Sequence, residues 1–394
     1  MATVAEARAS RATIRKFYLF SFFEGFAPIY PVYMIMFEGR GYDLTALSLL
    51  LSIWALPVVL LELPSGILAD RWSKKRVVAL GMLFKALCFV LWAASPSFAA
   101  AAVGFVLWGC QEAFCSGARQ ALLYEALQDK GRADAYAGTV GVSGAVELVS
   151  IAVSMVAGAA IYAASPLLAL GLSALSSVAA AITARSFKER RIEAPSRSSP
   201  ASLLAELKSY GGERALAVLL AAACLARAAY DTVDEFDGLW AADRYAVPVA
   251  WVGVWGALRM AAQGLGGLSA GFFSRTLGGG RLGGFLAFVG AFFGASAFLP
   301  GLWGIPPYFS FYFFLEAVSV MFEARLQEFA ADSTRASLLS VSSLLMTAIA
   351  IVIAPALGAA GEAGGLGWIV AICGGLTVVS GTILLVFQKR SYYS

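Results

Sequence analysis

Long apolar runs separated by short polar breaks recur along the whole chain. Each is long enough for a bilayer crossing, which takes roughly 20 residues. They predict spans at about 16–37, 44–69, 76–95, 97–124, 136–163 and 166–187, then at about 214–237, 247–274, 282–303, 306–326, 336–358 and 366–387. The runs are continuously apolar rather than alternating, which predicts helices and not a barrel. The first run exceeds a signal-peptide core and lacks a clean small-residue cleavage site, so it reads as a retained span. Glycines within the runs, such as Gly138, Gly141 and Gly144 or Gly264, Gly266 and Gly267, predict close helix packing.

The longest polar interval lies between the sixth and seventh spans. Its Pro, Ser and Gly content reads as a linker over 188–213, dividing a six-helix bundle at 1–187 from a second at 214–394. Within it SLLAELKSY has the pattern of a short surface helix or, equally, of a flexible tether. Glu112–Ala113 and Glu316–Ala317 form a weak internal echo, as do Asp129, Arg132 and Ala133 with Asp332, Arg335 and Ala336. Basic residues orient the spans. Only Arg40 and Arg244 fall outside, and Lys85, Arg119, Arg227 and Arg259 lie within spans; the rest of the 29 share the side of the termini. That asymmetry predicts both termini in the cytoplasm.

Composition then narrows the class. Of 394 residues, 60% are hydrophobic and 14% charged, against roughly 25% charged in soluble domains. This excludes disorder, a disulfide scaffold and a nucleic-acid reader. With no histidine in the chain, imidazole metal sites and Ser–His or Cys–His catalysis are excluded. The five cysteines all fall in apolar runs without a CxxC pair and read as small buried hydrophobes. No phosphate-binding loop, metal-ligand cluster or catalytic triad is present, so no cofactor, metal or enzymatic activity is expected.

One loop is more specific. Between the second and third spans stands Gly66-Ile67-Leu68-Ala69-Asp70-Arg71-Trp72-Ser73-Lys74-Lys75-Arg76. It resembles the signature loop of the major facilitator superfamily: glycine, three residues, Asp-Arg, any residue, glycine, then a basic cluster. Gly66, Asp70, Arg71, Lys75 and Arg76 match, and Ser73 replaces the second glycine, making the turn less permissive. The resemblance implies an all-α polytopic membrane protein, with twelve helices in two pseudo-symmetric bundles around a central cavity. It also implies a conformational latch, in which Asp70 faces the positive end of the eleventh span's helix. Glu125, at the inner end of the fourth span, is placed to pair with Arg71 or Lys75. The matching place in the second half, Gly271 to Arg275, looks degenerate.

Ionisable groups at membrane depth cost about 2.5–3.5 kcal/mol on insertion scales and mark candidate sites. Here they are Glu24, Glu62, Lys85, Glu112, Glu147, Arg227, Asp231, Arg259 and Glu316, with Arg119 nearer the inner surface as a structural or gating pair. In the resembled family the first, fourth, seventh and tenth spans line the cavity, and all four carry such a charge. The substrate cavity is accordingly assigned to Glu24, Tyr30, Glu112, Arg227, Asp231, Arg259, Phe311 and Glu316. Buried ion pairs are the other reading of the charges, and a lipid-facing belt that of the aromatics. The acidic run Asp231, Asp234, Glu235, Asp237 and Asp243 reads as a solvated helix end. Without histidine, proton coupling falls to buried carboxylates, ranked Glu112, Glu24 and Glu316, then Glu62 and Glu147.

The expected protein is a monomeric, multi-pass secondary transporter of the cytoplasmic membrane. It works by alternating access and exports a small amphipathic organic compound against protons, with lipid as its surroundings. The fifth span lacks the Gly-Pro-Gly-Gly core of many drug antiporters of this superfamily, which weakens the case for export. The alternatives are an importer or facilitator of an anionic metabolite, served by Arg227, Arg259 and Lys85, and a non-transporting receptor or scaffold. The latch predicts that Asp70→Asn lowers turnover and leaves ligand binding intact; equal flux by mutant and parent in proteoliposomes would contradict it.

Overall fold

The computed structural model describes residues 4–129, 131–189, 214–329 and 335–391. The interval SLLAELKSY and the echo residue Asp332 lie outside them, as do the side chains of Arg335 and Ala336. The described residues form α1 (Val4–Gly25), a 3-10 turn at Tyr30–Val32, α2 (Tyr33–Glu38), α3 (Leu44–Arg71), α4 (Lys74–Ala94), α5 (Phe98–Gln128), α6 (Tyr136–Ala164) and α7 (Pro166–Arg185). There follow α8 (Arg214–Glu235), α9 (Asp237–Tyr245), α10 (Val249–Ser296), α11 (Ile305–Phe329), α12 (Arg335–Gly364) and α13 (Leu366–Ser391).

Ten stretches of this helical structure are long and apolar enough to cross a membrane among the described residues. The 48-residue α10 is additional. Two separate spans are predicted there, yet the backbone is helical throughout. A straight helix would hold Phe273 and Phe285 about 18 Å apart, whereas their rings stack at 5.7 Å and both pack on Phe314. The run therefore doubles back between them, within a segment holding Gly278, Gly279, Gly280, Gly283 and Gly284. Its two limbs bring the crossings to twelve, and the protein is an all-α polytopic membrane protein.

The chain forms two compact units: residues 1–36, 53–197 and 248–254, and residues 37–52, 198–247 and 255–394. In the first, α4 packs on α5 and α7, and α1 on α6 and α7. The first predicted span is interrupted, because Pro28 and Pro31 cannot continue a helix. In lipid the freed backbone groups need protein partners, and serines supply them. The N–H of Ala27 donates to Ser154 Oγ at 3.0 Å and that of Ile29 to Ser173 Oγ at 3.1 Å. Ser150 and Ser176 donate to the carbonyls of Phe22 and Phe23 at 2.6 and 2.8 Å. Pro28 also leaves the carbonyl four residues earlier, that of Glu24, without its helical donor. The Lys85 ammonium fills that vacancy at 3.2 Å and lies over the Trp108 ring at 5.7 Å.

In the second unit α8 packs on α12 and α13. The outer limb of α10 meets α13 with no side chain between, through Gly290 against Gly374 and Gly283 against Gly381. Glycine packing does not extend to Gly138, Gly141, Gly144 and Gly264, where an added Cβ meets nothing within 4 Å. These positions point away from every described neighbour, so periodicity alone misassigned them; Gly266, against the carbonyl of Phe313, fits the expectation. At Gly158 a Cβ would lie 2.1 Å from the carbonyl oxygen of Pro28, against the broken stretch of α1. Gly158→Ala is expected to destabilise by about 1–3 kcal/mol, while Gly138→Ala is neutral; thermal unfolding of the purified variants checks the contrast.

Candidate functional site

The charges at membrane depth gather into clusters within each unit. In the first, Arg119 on α5 bonds the Glu24 carboxylate on α1 and, at 3.2 Å, that of Glu147 on α6. Glu24 is 7% exposed, which one shared guanidinium makes tolerable. One turn along α5 from Arg119, Ser116 donates to both oxygens of Glu62 on α3, at 3.2 and 3.1 Å. One turn further stands Glu112. Its side chain is exposed, and it makes no hydrogen bond or ion pair with any described residue. Tyr30 rests edge-on against Trp108 at 6.0 Å, in an aromatic group completed by Tyr33, Trp92 and Phe105.

The second unit repeats the arrangement twice. Arg227 on α8 bonds Asp231 one turn away at 2.9 Å and Glu316 on α11 at 3.5 Å, with its guanidinium 4.8 Å from the Tyr230 ring centre. These three side chains are partly open, 35%, 47% and 29% exposed. Arg259 is instead sealed, bonded to Asp234 and, at 2.9 Å, to Asp237. Asp237 also accepts from Trp255 Nε1 and from the Tyr308 hydroxyl, both at 2.7 Å. The Tyr312 ring lies under the guanidinium at 5.0 Å.

Several expectations are corrected here. Asp234 and Asp237 do not form a solvated helix end: Arg259, one turn apart from Gln263 on a facing helix, draws both inward. Arg259 itself is 4% exposed and occupied, so it does not open onto a cavity. Phe311 is 1% exposed, its ring stacked on Phe293 at 3.8 Å, and belongs to the packing of α10 on α11. Lys85 serves a backbone carbonyl rather than an anion.

In the signature loop Glu125 pairs with Lys74, not with Arg71 or Lys75. Lys74 reaches Glu125 at 2.9 Å and Asp70 at 3.2 Å. Lys75 turns instead to the carbonyl of Phe187 at 3.3 Å, and Arg76 lies over Trp72 at 5.6 Å. Gly66 is buried, while Asp70 and Arg71 lie on the exposed side of the loop. Ser73 has φ −177°, extended backbone that any residue adopts, and caps α4 through a bond from the N–H of Arg76 at 3.4 Å. The absent glycine therefore costs the turn nothing. Glu189, just beyond α7, bonds the Ser73 hydroxyl and accepts from the Lys74 N–H at 2.6 Å. Nothing in its local sequence marks it for this role.

No metal-holding group of acidic, Cys or His side chains occurs among the described residues. Removing Arg119 would leave the buried carboxylate of Glu24 and the half-buried one of Glu147 without their shared cation. Arg119→Met is expected to destabilise by about 3–5 kcal/mol, with much of the loss recovered in Arg119→Met/Glu24→Gln, as thermal unfolding in detergent would show.

The model of the Major Facilitator Superfamily matches residues 17–324. No curated protein matches the chain. Among solved structures, the nucleoside transporter NupG superposes with a TM-score of 0.74 at 15% identity, covering 98% of this chain and 100% of that one. A bacterial homologue of the human lysosomal transporter Spinster, inward-facing and unoccupied, gives a TM-score of 0.79 at 14% identity, covering 99% and 98%. At such identities the likeness shows the fold.

Proposed function

Because the chain belongs to the major facilitator superfamily and is therefore a secondary transporter and not an enzyme, we propose that it exchanges protons for a small amphipathic compound bearing positive charge, and exports it. The two six-span halves, 1–187 and 214–394, are the alternating bodies of a monomer in the cytoplasmic membrane, with both termini inside.

One observation carries the reading: every cation at membrane depth is already engaged, and acids outnumber them. Arg119, Arg227 and Arg259 each serve two carboxylates, and Lys85 serves a carbonyl. Import of an anion would need a cation free to receive it, and the three residues suited to that role are all occupied. A cation or proton meets the opposite situation. Glu112 is exposed and unpaired among the described residues, and the Glu62 carboxylate accepts from Ser116. Glu316, 3.5 Å from Arg227, is the looser of that arginine's two contacts. Glu112 is accordingly the first proton carrier, with Glu316 and Glu62 nearest the compound. Glu24 and Glu147 keep the Arg119 bridge and adjust the charge around it. Tyr30 offers an aromatic face to a cation.

The test uses proteoliposomes loaded with a pH-sensitive dye and given ethidium as probe. The parent is expected to move protons in exchange for ethidium, and Glu112→Gln to lose at least tenfold of that flux. A sulfonated anionic dye should produce none. Ethidium flux indifferent to an imposed pH gradient would remove proton coupling, and flux of the anionic dye alone would reverse the sign of the substrate.

A further inference from the structure

Within the second unit α8 and α13 pack side by side and run in opposite directions. The Ser380 hydroxyl on α13 donates to the carbonyl of Ala222 on α8 at 2.6 Å and sets their register. Toward the start of α8 and the end of α13 the two helices leave a groove of about 440 Å³. Its walls are Val218 on α8 and Val379, Thr382, Ile383, Val386 and Phe387 on α13.

This lining suits hydrocarbon. Its one hydroxyl, on Thr382, donates to the carbonyl of Val378 at 2.8 Å, so no polar group is left to satisfy. Val379 and Val386 are 49% and 53% exposed, and no described residue covers them. From Val379 to Phe387 the groove follows about 12 Å of helix. One leaflet of a bilayer's hydrocarbon core is about 15 Å deep. The groove therefore belongs to a single leaflet.

The same stripe ends in charge. Val379, Thr382, Ile383 and Val386 follow the three- and four-residue spacing of one helix face, and the next positions in that series are Lys389 and Arg390. On α8 the position one turn before Val218 is Arg214. The apolar stretches of the two helices cover Leu216–Glu235 and Leu366–Phe387, which puts all three basic positions just beyond the hydrocarbon, at headgroup depth. Glu213 is the one acid beside them in the sequence, so positive charge is in excess. A lipid with an anionic headgroup matches this layout, with a chain for the groove and negative charge at one end. A second copy of the chain does not, because two-fold pairing through this face would set the same basic positions against each other.

We propose that this groove binds an acyl chain of an anionic phospholipid from the surrounding bilayer, with the headgroup held by Arg214, Lys389 and Arg390. The site is separate from the membrane-depth acids, and its test needs no transported compound.

The full chain is placed in nanodiscs of phosphatidylcholine doped with phosphatidylglycerol that carries a photoreactive diazirine in its acyl chain. Adducts are mapped by peptide mass spectrometry. They are expected on Val218 and residues 379–387, with about fivefold the yield given by a phosphatidylcholine carrying the same diazirine. Arg214→Gln/Lys389→Gln/Arg390→Gln should remove that preference and leave the phosphatidylcholine yield unchanged. Thr382→Trp, which fills the groove, should lower adducts there from both lipids and spare those at the exposed Leu168 and Leu175 of α7; it serves alone if the triple variant does not assemble. Equal yields from the two lipids in the parent would overturn the proposal, since they report an apolar surface without a headgroup site. A phosphatidylglycerol preference just as strong at Leu168 and Leu175 would do the same. So would a groove silent to both lipids, which would mean that protein covers it.

Discussion

A backbone carbonyl inside a bilayer has no water to turn to, and this constraint organises much of the molecule. Proline creates the need by withholding an N–H from the carbonyl four residues before it. At Pro28 the need is met by the ammonium of Lys85, and at Pro355 by the hydroxyl of Ser52. The two solutions differ in strength. A buried ammonium ties α4 to the broken first span, whereas a neutral hydroxyl ties α3 to α12. A charged and a neutral junction thus arise from the same defect, distinguished by the donor that repairs it.

Charge follows a parallel rule. Each membrane-depth arginine is held by two carboxylates drawn from different helices or turns, so the guanidinium fork can satisfy both with directed bonds. Such pairs are costly to break and contribute modestly when intact. They therefore locate helices more than they strengthen the fold. The sealed Arg259 cluster, completed by Trp255 and Tyr308, sits at the locating end of this range. The half-open Arg227 cluster, with a 3.5 Å contact to Glu316, has room for its partners to change.

Much of this was legible in the amino-acid order, because crossing a bilayer imposes length and polarity on each segment separately. The spans, the signature loop and the membrane-depth acids Glu24, Glu112 and Glu316 could all be read one segment at a time. What could not be read was pairing, which depends on the rotation and depth of two helices at once. Asp234 and Asp237 looked like a solvated end because their arginine arrives from a different helix. Lys74 lost its role to Lys75 and Arg71 for the same reason, one residue being about 100° of helix rotation. Phe311 looked like a cavity aromatic until Phe293 was seen stacked on it. The doubled-back α10 escaped differently: a glycine-rich polar break suggested an open loop, and the backbone closes it with helical bonds. The interruption of α1 was available all along in Pro28 and Pro31, as was the orphaned carbonyl of Glu24.

Lys85 also bears on how the protein is made. An ammonium at the centre of a single helix is inserted at a cost of about 2.5–3.5 kcal/mol, and the broken α1 carries unsatisfied backbone of its own. Neither segment is comfortable in lipid alone, and each carries what the other lacks. The polar groups of the first and third spans are therefore satisfied only once both lie in the bilayer and pack together.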